Sequence, residues 1–71
     1  MTTYVTFGQG HVHRVNGKTF DKDCVAVLDS DSAEEGRERA FAIFNGVFCF
    51  EYYETPPDMS YFPRGLINVE T

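Results

Sequence analysis

One well-marked helix between two strand-length apolar runs constrains the fold of this chain more than any other feature. The run Ser32-Ala33-Glu34-Glu35 fits a capping box, in which the serine and the second glutamate each accept from the other's backbone amide. Asn45-Gly46 ends the helix, with the glycine as the expected left-handed cap. The helix follows Cys24–Leu28 and precedes Val47–Tyr53, both of strand length. This order of elements predicts an α+β fold.

The helix carries an apolar stripe that predicts which side packs against a sheet. The stripe consists of Ala33, Gly36, Ala40, Phe41 and Phe44. Their spacing follows the helical period, so they share one side of the helix. On the polar side, the four-residue spacing of Glu35 and Arg39 predicts an ion pair.

The residues before the helix predict a strand, a hairpin and a buried strand. Tyr4–Phe7 has the alternation of a first strand. Asn16-Gly17 is typical of a type I′ turn and is expected to join His11–Val15 to Lys18–Phe20. The continuous apolar run Cys24–Leu28 indicates a central strand covered on both faces.

The strand after the helix has two possible pairings. It can run parallel to its neighbour through a right-handed crossover, or it can pair antiparallel at an edge, and the sequence does not decide between the two. One of its faces would carry Phe48, Phe50 and Tyr52, and the other Val47, Cys49, Glu51 and Tyr53. We therefore expect a small mixed or antiparallel sheet of four to five strands with one helix packed on one face.

The chain divides by composition into a compact domain over residues 1–54 and a tail rich in proline and aromatic residues over 55–71. Two aromatic residues and the apolar run Leu66–Val69 in the tail are too apolar to remain in water. We expect the tail to fold back on the sheet, with 66–69 as a short added strand. The alternative is that the tail docks on a partner.

Charge and apolar content exclude several classes of protein. The net charge of −5 argues against direct nucleic-acid binding through phosphate neutralisation. The sequence has no apolar run long enough for a membrane span and no secretory signal at its start, so we expect a cytoplasmic protein without membrane contact. Cys24 and Cys49 each lie in an apolar run and are expected to be buried, reduced thiols.

The segment from Phe7 to His13 suggests ligand binding. Glycine permits positive φ and close approach of another group, and two histidines two residues apart share one face of an extended chain. Basic residues can meet phosphates, and four aromatic residues can stack on bases: Tyr52, Tyr53, Tyr61 and Phe62. The candidate ligand-binding residues are Gly8, Gly10, His11, His13, Arg14 and Arg64. Together they suggest a site for a small anionic nucleotide, completed in one version across a homodimer interface.

Neither a metal site nor an enzyme is predicted. His11 and His13 lack the third and fourth ligands that zinc requires. The sequence contains no G-x-S-x-G, no P-loop lysine and no H-E-x-x-H, and the third glycine of a dinucleotide fingerprint is missing. No cofactor is expected.

Protein binding requires the least special chemistry. Exposed tyrosines with a charged rim are common in interfaces. The candidate anchors are Tyr52, Tyr53 and Tyr61, and the candidate rim is Glu51, Glu54 and Asp58.

Three parts of the sequence resemble small accessory proteins of bacteriophages and prophages. They are Tyr4–Gly8, the helix start Glu34-Glu35-Gly36-Arg37 and the run Phe41–Tyr52. The resemblance covers about the first three-quarters of the chain and excludes the tail from Thr55. It implies a protein made early in infection that inhibits a bacterial host or defence protein by stoichiometric binding, in the cytoplasm of the host. The alternative is a sponge that sequesters a nucleotide second messenger.

Overall fold

A four-stranded sheet with one helix on one face, and a separate two-stranded hairpin, make up the fold. The computed structural model describes residues 1–46 and 48–70. The elements in chain order are β1 (Thr2–Thr6), β2 (His13–Val15), β3 (Lys18–Phe20), β4 (Cys24–Asp29), α1 (Ala33–Phe44), β5 (Phe50–Tyr53), a 3₁₀ turn (Met59–Tyr61) and β6 (Gly65–Asn68). The predicted α+β class, with a mixed sheet and a helix on one face, is confirmed.

The sheet has the strand order β5-β1-β4-β6. β1 runs antiparallel to both β4 and β5, whereas β6 runs parallel to β4. β5 is thus an antiparallel edge strand, which is the second of the two pairings that the sequence left open. It is shorter than the predicted Val47–Tyr53: Val47 lies outside the described residues, and Phe48 and Cys49 precede the strand. The predicted central strand is also found, because Val25 on one face of β4 and Ala26 on the other are fully buried.

Local capping chemistry sets the bounds of α1. Ser32 Oγ accepts a hydrogen bond from the Glu35 amide at 3.1 Å, as a capping box requires. The reciprocal bond differs from the prediction, since the Glu35 carboxylate accepts from the Asp31 amide at 3.5 Å. The left-handed cap expected at Gly46 begins one residue earlier, at Asn45 with φ 54°, and Gly46 follows with φ 72°. Asparagine tolerates this conformation better than most residues.

Three residues of the predicted stripe, Gly36, Ala40 and Phe44, are buried against the sheet. The Phe44 ring lies edge-on to Phe7 at 4.9 Å and to Phe20 at 5.7 Å between ring centroids. Such pairs stabilise a core beyond their area burial. These rings form the centre of the core between the helix, the sheet and the hairpin.

Two predictions for the helix surface are wrong. Phe41 is 45% exposed rather than part of the core, and its ring packs against Phe48 at 5.2 Å. Arg39 bonds to the Asp29 carbonyl and to the Glu70 carboxylate instead of pairing with Glu35. A longer-range partner therefore replaces the local i,i+4 pair.

Two side chains of the hairpin bind the end of β6. Asn16 has φ 52° and Gly17 has φ 77°, which confirms the predicted turn. The Asn16 side-chain amide donates to the Val69 carbonyl, and the Lys18 ammonium donates to the Asn68 carbonyl, both at 2.7 Å. The hairpin is therefore attached at the end of the edge strand β6, whereas the other edge strand is β5.

The tail is part of the same core. β6 spans Gly65–Asn68, one residue earlier than the strand expected at 66–69, and Val69 beyond it is buried among the core residues. Residue 71, the end of the predicted tail, lies outside the described residues.

Candidate functional site

Alternation along the strands divides the sheet into two faces of different character. Thr3 and Val5 of β1 point toward α1, since a Cβ on Gly36 of the helix would meet Thr3. Their register partners in β5 are Tyr53 and Glu51. We call this side the helix face. The other side, which carries Tyr4, Thr6, Phe50 and Tyr52, we call the open face.

A groove of about 370 Å³ lies on the open face, between β5 and the tail. Its lining residues are Thr6, Phe7, Cys49, Phe50, Tyr52, Pro57, Asp58, Tyr61 and Phe62. Three of its aromatic side chains are strongly accessible: Phe50 is 61% exposed, Tyr52 37% and Tyr61 75%. We call this site the aromatic groove.

The first wall of the aromatic groove is β5, whose start is set by Thr6. The Cys49 amide donates to the Thr6 carbonyl at 2.8 Å, and the Phe50 amide donates to Thr6 Oγ1 at 3.2 Å. Two consecutive amides thus bond to Thr6, one to its carbonyl and the other to its side-chain hydroxyl, and the strand begins at the second of them. Cys49 is exposed and lines the groove, so its predicted burial is wrong.

The second wall is the 3₁₀ turn of the tail. Pro56-Pro57 cannot continue a strand ladder, because proline has no amide hydrogen. Asp58 then caps the turn: its carboxylate accepts from the Ser60 amide at 3.0 Å and from the Ser60 hydroxyl at 2.7 Å. The Phe62 amide closes the turn on the Met59 carbonyl at 3.1 Å. This local geometry holds Tyr61 and Phe62 across from β5.

Asp58 gives the aromatic groove a negative charge. The hydrogen bonds from the Ser60 hydroxyl and amide lower the pKa of the Asp58 carboxyl below its ordinary value. Asp58 is the one charged residue among the described residues that line the groove. The site therefore combines aromatic walls with a single fixed carboxylate at neutral pH.

The structure divides the predicted protein-binding residues between the two faces. Tyr52, Asp58 and Tyr61 come together in the aromatic groove. Glu51 and Tyr53 lie on the helix face, where the Tyr53 hydroxyl donates to Glu51 Oε2 at 2.9 Å. Partial burial and this hydrogen bond raise the pKa of Tyr53. Glu54 lies at the end of β5, and its carboxylate accepts from the Thr2 amide at 3.2 Å.

Glu51 also has a partner on the helix. Arg37 Nε lies 3.8 Å from Glu51 Oε1, and the Arg37 guanidinium is 5.4 Å from the centroid of the Phe41 ring. The carboxylate that the sequence suggested as part of an interface rim therefore contacts groups of the protein itself.

The predicted ligand-binding residues lie apart from the aromatic groove. β2 begins at His13, so His11 precedes the strand and the expected shared strand face is not formed. The His11 amide donates to the Gly8 carbonyl at 3.0 Å, which makes the glycine segment a tight turn. The His13 ring packs against Phe44 at 5.1 Å. Arg14 lies in β2, and Gly10 is in the turn before it.

Arg64, the remaining candidate for phosphate binding, has a carboxylate partner. Its Nη1 lies 3.1 Å from Asp21 Oδ1, and its amide donates to the Asp23 carbonyl at 2.8 Å. Within residues 1–46 and 48–70, no cluster of three or more histidine, cysteine or acidic side chains could hold a metal ion.

Sequence reasoning missed Phe50 and Pro57 as residues of the site, and it considered Phe62 only for stacking on bases. A signal for Phe50 was present, since it shares a strand face with Tyr52 at a spacing of two. For Pro57 and Phe62 the sequence offers no comparable signal, because their place beside β5 depends on the path of the tail.

Comparison of the chain with protein-family models, with curated proteins and with solved structures gave no match. Over the described part of the chain, no helix is both long enough and apolar enough to cross a membrane.

Proposed function

We propose that this protein is an inhibitor that binds a bacterial host or defence protein stoichiometrically through the aromatic groove. The observation that carries the proposal is the set of exposed aromatic side chains, Phe50, Tyr52 and Tyr61, around one groove. Clustered apolar surface on a small protein is typical of an interaction site. Tyrosine is also enriched among the residues that dominate binding energy in interfaces.

The way the groove is held supports recognition by a preformed surface. One wall is a strand of the sheet, and the other is a turn fixed by the Asp58 and Phe62 hydrogen bonds. Ordering these side chains in advance lowers the entropy lost on association. A chain of 71 residues can thus present a rigid patch despite its thin core.

The chemistry of the groove favours binding over catalysis. Cys49 is the one thiol among its described lining residues, and that lining includes no histidine or lysine that could serve as its base. The resemblance of Tyr4–Gly8 and Phe41–Tyr52 to bacteriophage accessory proteins supports a target in bacterial immunity, met in the host cytoplasm.

The experiment that tests this function has two steps. The protein is first expressed in bacterial strains that each carry one defence system, and phage plating efficiency identifies the system that it neutralises. The purified protein is then titrated into the purified effector of that system. We expect activity to fall linearly to zero at one equivalent per binding site, with no dependence on incubation time.

Two outcomes of this titration would contradict the proposal. Time-dependent inactivation by a small fraction of an equivalent would indicate an enzyme. Inhibition that extra nucleotide messenger reverses, without a complex between protein and effector, would indicate the nucleotide sponge.

A further inference from the structure

We propose that the aromatic groove binds an arginine side chain presented by the partner protein. This inference rests on the proposed function, because it names the chemistry of the partner at the same site. It follows from three observations: the aromatic walls of the groove, its single carboxylate and a precedent for the same chemistry on the helix face.

The aromatic walls provide the first feature. The rings of Phe50 and Tyr52 lie 6.5 Å apart between centroids and are inclined at 55°, so they offer faces in different directions. Tyr61 and Phe62 stand across the groove. Aromatic faces attract cations, and guanidinium is the cation found most often on them because it is planar and weakly hydrated.

The carboxylate of Asp58 is the second feature. An apolar side chain that filled the groove would lie beside this charge without pairing it. A guanidinium would satisfy both surfaces, since its plane can stack on a ring while its N–H groups donate to the carboxylate. The net charge of −5 also favours the approach of a cationic partner.

The third observation is that the same chemistry already occurs among the described residues of the protein. Arg37 lies over the Phe41 ring at 5.4 Å and 3.8 Å from the Glu51 carboxylate. A ring and a carboxylate thus hold a guanidinium on the helix face. On the open face, Tyr52, Tyr61 and Asp58 supply the same two kinds of group, and no cation is among the groove's described lining residues.

The test compares two small probes that differ in charge and scarcely in shape. N-acetyl-arginine amide and its neutral isostere, N-acetyl-citrulline amide, are titrated into the full chain at low ionic strength and followed by NMR. We expect millimolar binding of the arginine probe, with shifts in the ring resonances of Tyr52 and Tyr61. Citrulline should bind at least about tenfold more weakly, given the usual strength of cation–π contacts with a nearby carboxylate. Equal affinity for the two probes, or binding of neither, would overturn the inference.

Variants locate the binding. We expect Asp58→Asn, which keeps the capping acceptor, and Tyr61→Leu each to weaken arginine binding at least about threefold. The matched control is Glu34→Gln, which removes an exposed carboxylate on α1 and should leave the affinity unchanged. Unchanged affinity in both groove variants would place arginine elsewhere and overturn the assignment.

Failure here differs from failure of the proposed function. If the probes do not bind but groove variants no longer inhibit, the groove is an interface for a different chemistry. If arginine binds but groove variants inhibit normally, the inhibitory surface lies elsewhere on the protein.

Discussion

At the residue scale, the close contact between α1 and β1 depends on a glycine, Gly36, which has no side chain. A Cβ at Gly36 would lie 2.1 Å from Thr3 Oγ1 and 2.9 Å from Ser30 Oγ. Thr3 is fully buried, so its side chain has little room to move. Glycine is present in this helix because only glycine allows the backbone to approach the sheet so closely.

Replacing Gly36 with alanine should therefore destabilise the protein, although alanine is the better helix former. Helix propensity alone would raise the free energy of unfolding by about 1 kcal/mol, whereas forcing a methyl group into a filled space costs about 1–3 kcal/mol. Because a contact of 2.1 Å with a buried side chain calls for the upper part of this range, about 2–3 kcal/mol, we expect a net loss of about 1–2 kcal/mol for Gly36→Ala in urea denaturation. Ala42→Gly, at an exposed helix position, serves as the control and should lose about 1 kcal/mol through propensity. A Gly36→Ala protein as stable as the wild type would show that the contact yields without cost.

At the scale of elements, the predictable segments are those whose signals are local. The hairpin turn at Asn16-Gly17 and the helix start at Ser32 depend on neighbours within a few residues, and both were located correctly. The start of β5 depends instead on Thr6, which is distant in sequence and takes the bonds of both Cys49 and Phe50. No local pattern predicts these two hydrogen bonds to Thr6, so the strand was predicted too long.

For the same reason, the sequence predicted only some of the residues of the aromatic groove. Tyr52 and Tyr61 were singled out as anchors, but Tyr53 was grouped with them although strict alternation places it on the opposite face. Bringing Tyr61 to β5 requires the turn capped by Asp58 and the return of the chain as β6. This long-range arrangement is fixed by pairing with β4, which sequence periodicity does not specify.

The corner between β3 and β4 is tied to the start of β6 by the Asp21–Arg64 pair, and this tie should depend on pH. Partial burial acts to raise the pKa of Asp21, but the hydrogen bond from the Asp23 amide and the Arg64 charge outweigh it and lower the pKa below the ordinary 3.8. A carboxyl whose pKa is lower in the folded state adds stability above its unfolded pKa and loses it as the pH falls through the folded value.

We therefore expect a fall in pH from about 5 to below about 3 to lower the free energy of unfolding of the wild type more than that of Asp21→Asn. The difference should be at most about 1 kcal/mol, because both side chains are partly exposed. Urea unfolding at several pH values measures it. Arg64→Gln should reduce the acid sensitivity less than Asp21→Asn does, because the Asp23 amide still lowers the pKa of Asp21 in that variant. Identical pH dependence in the wild type and both variants would show that the pair does not contribute.

At the scale of the whole molecule, the two sides of the sheet have separate roles. The helix face holds the core, where the Phe44 ring meets Phe7 and Phe20, and it is closed by the hairpin. The open face is covered only in part by the tail, which leaves the aromatic groove between Tyr52 and Tyr61. Phe7 belongs to both the core and the groove lining, but the exposed groove residues Phe50, Tyr52 and Tyr61 do not belong to the core. These three can therefore be altered without removing the core.

The most direct test of this account compares single alanine variants of two groove residues with a matched variant outside the groove. Phe41, 45% exposed on the helix, is the control for Tyr52 at 37% and Tyr61 at 75%. Each protein is first checked for cooperative unfolding in urea, and inhibition is then measured as phage plating efficiency on the strain whose defence the wild type neutralises. We predict that Tyr52→Ala or Tyr61→Ala weakens binding about 30-fold or more and abolishes inhibition, as expected for an interface hot spot, whereas Phe41→Ala inhibits like the wild type. Full inhibition by both folded groove variants would contradict the account.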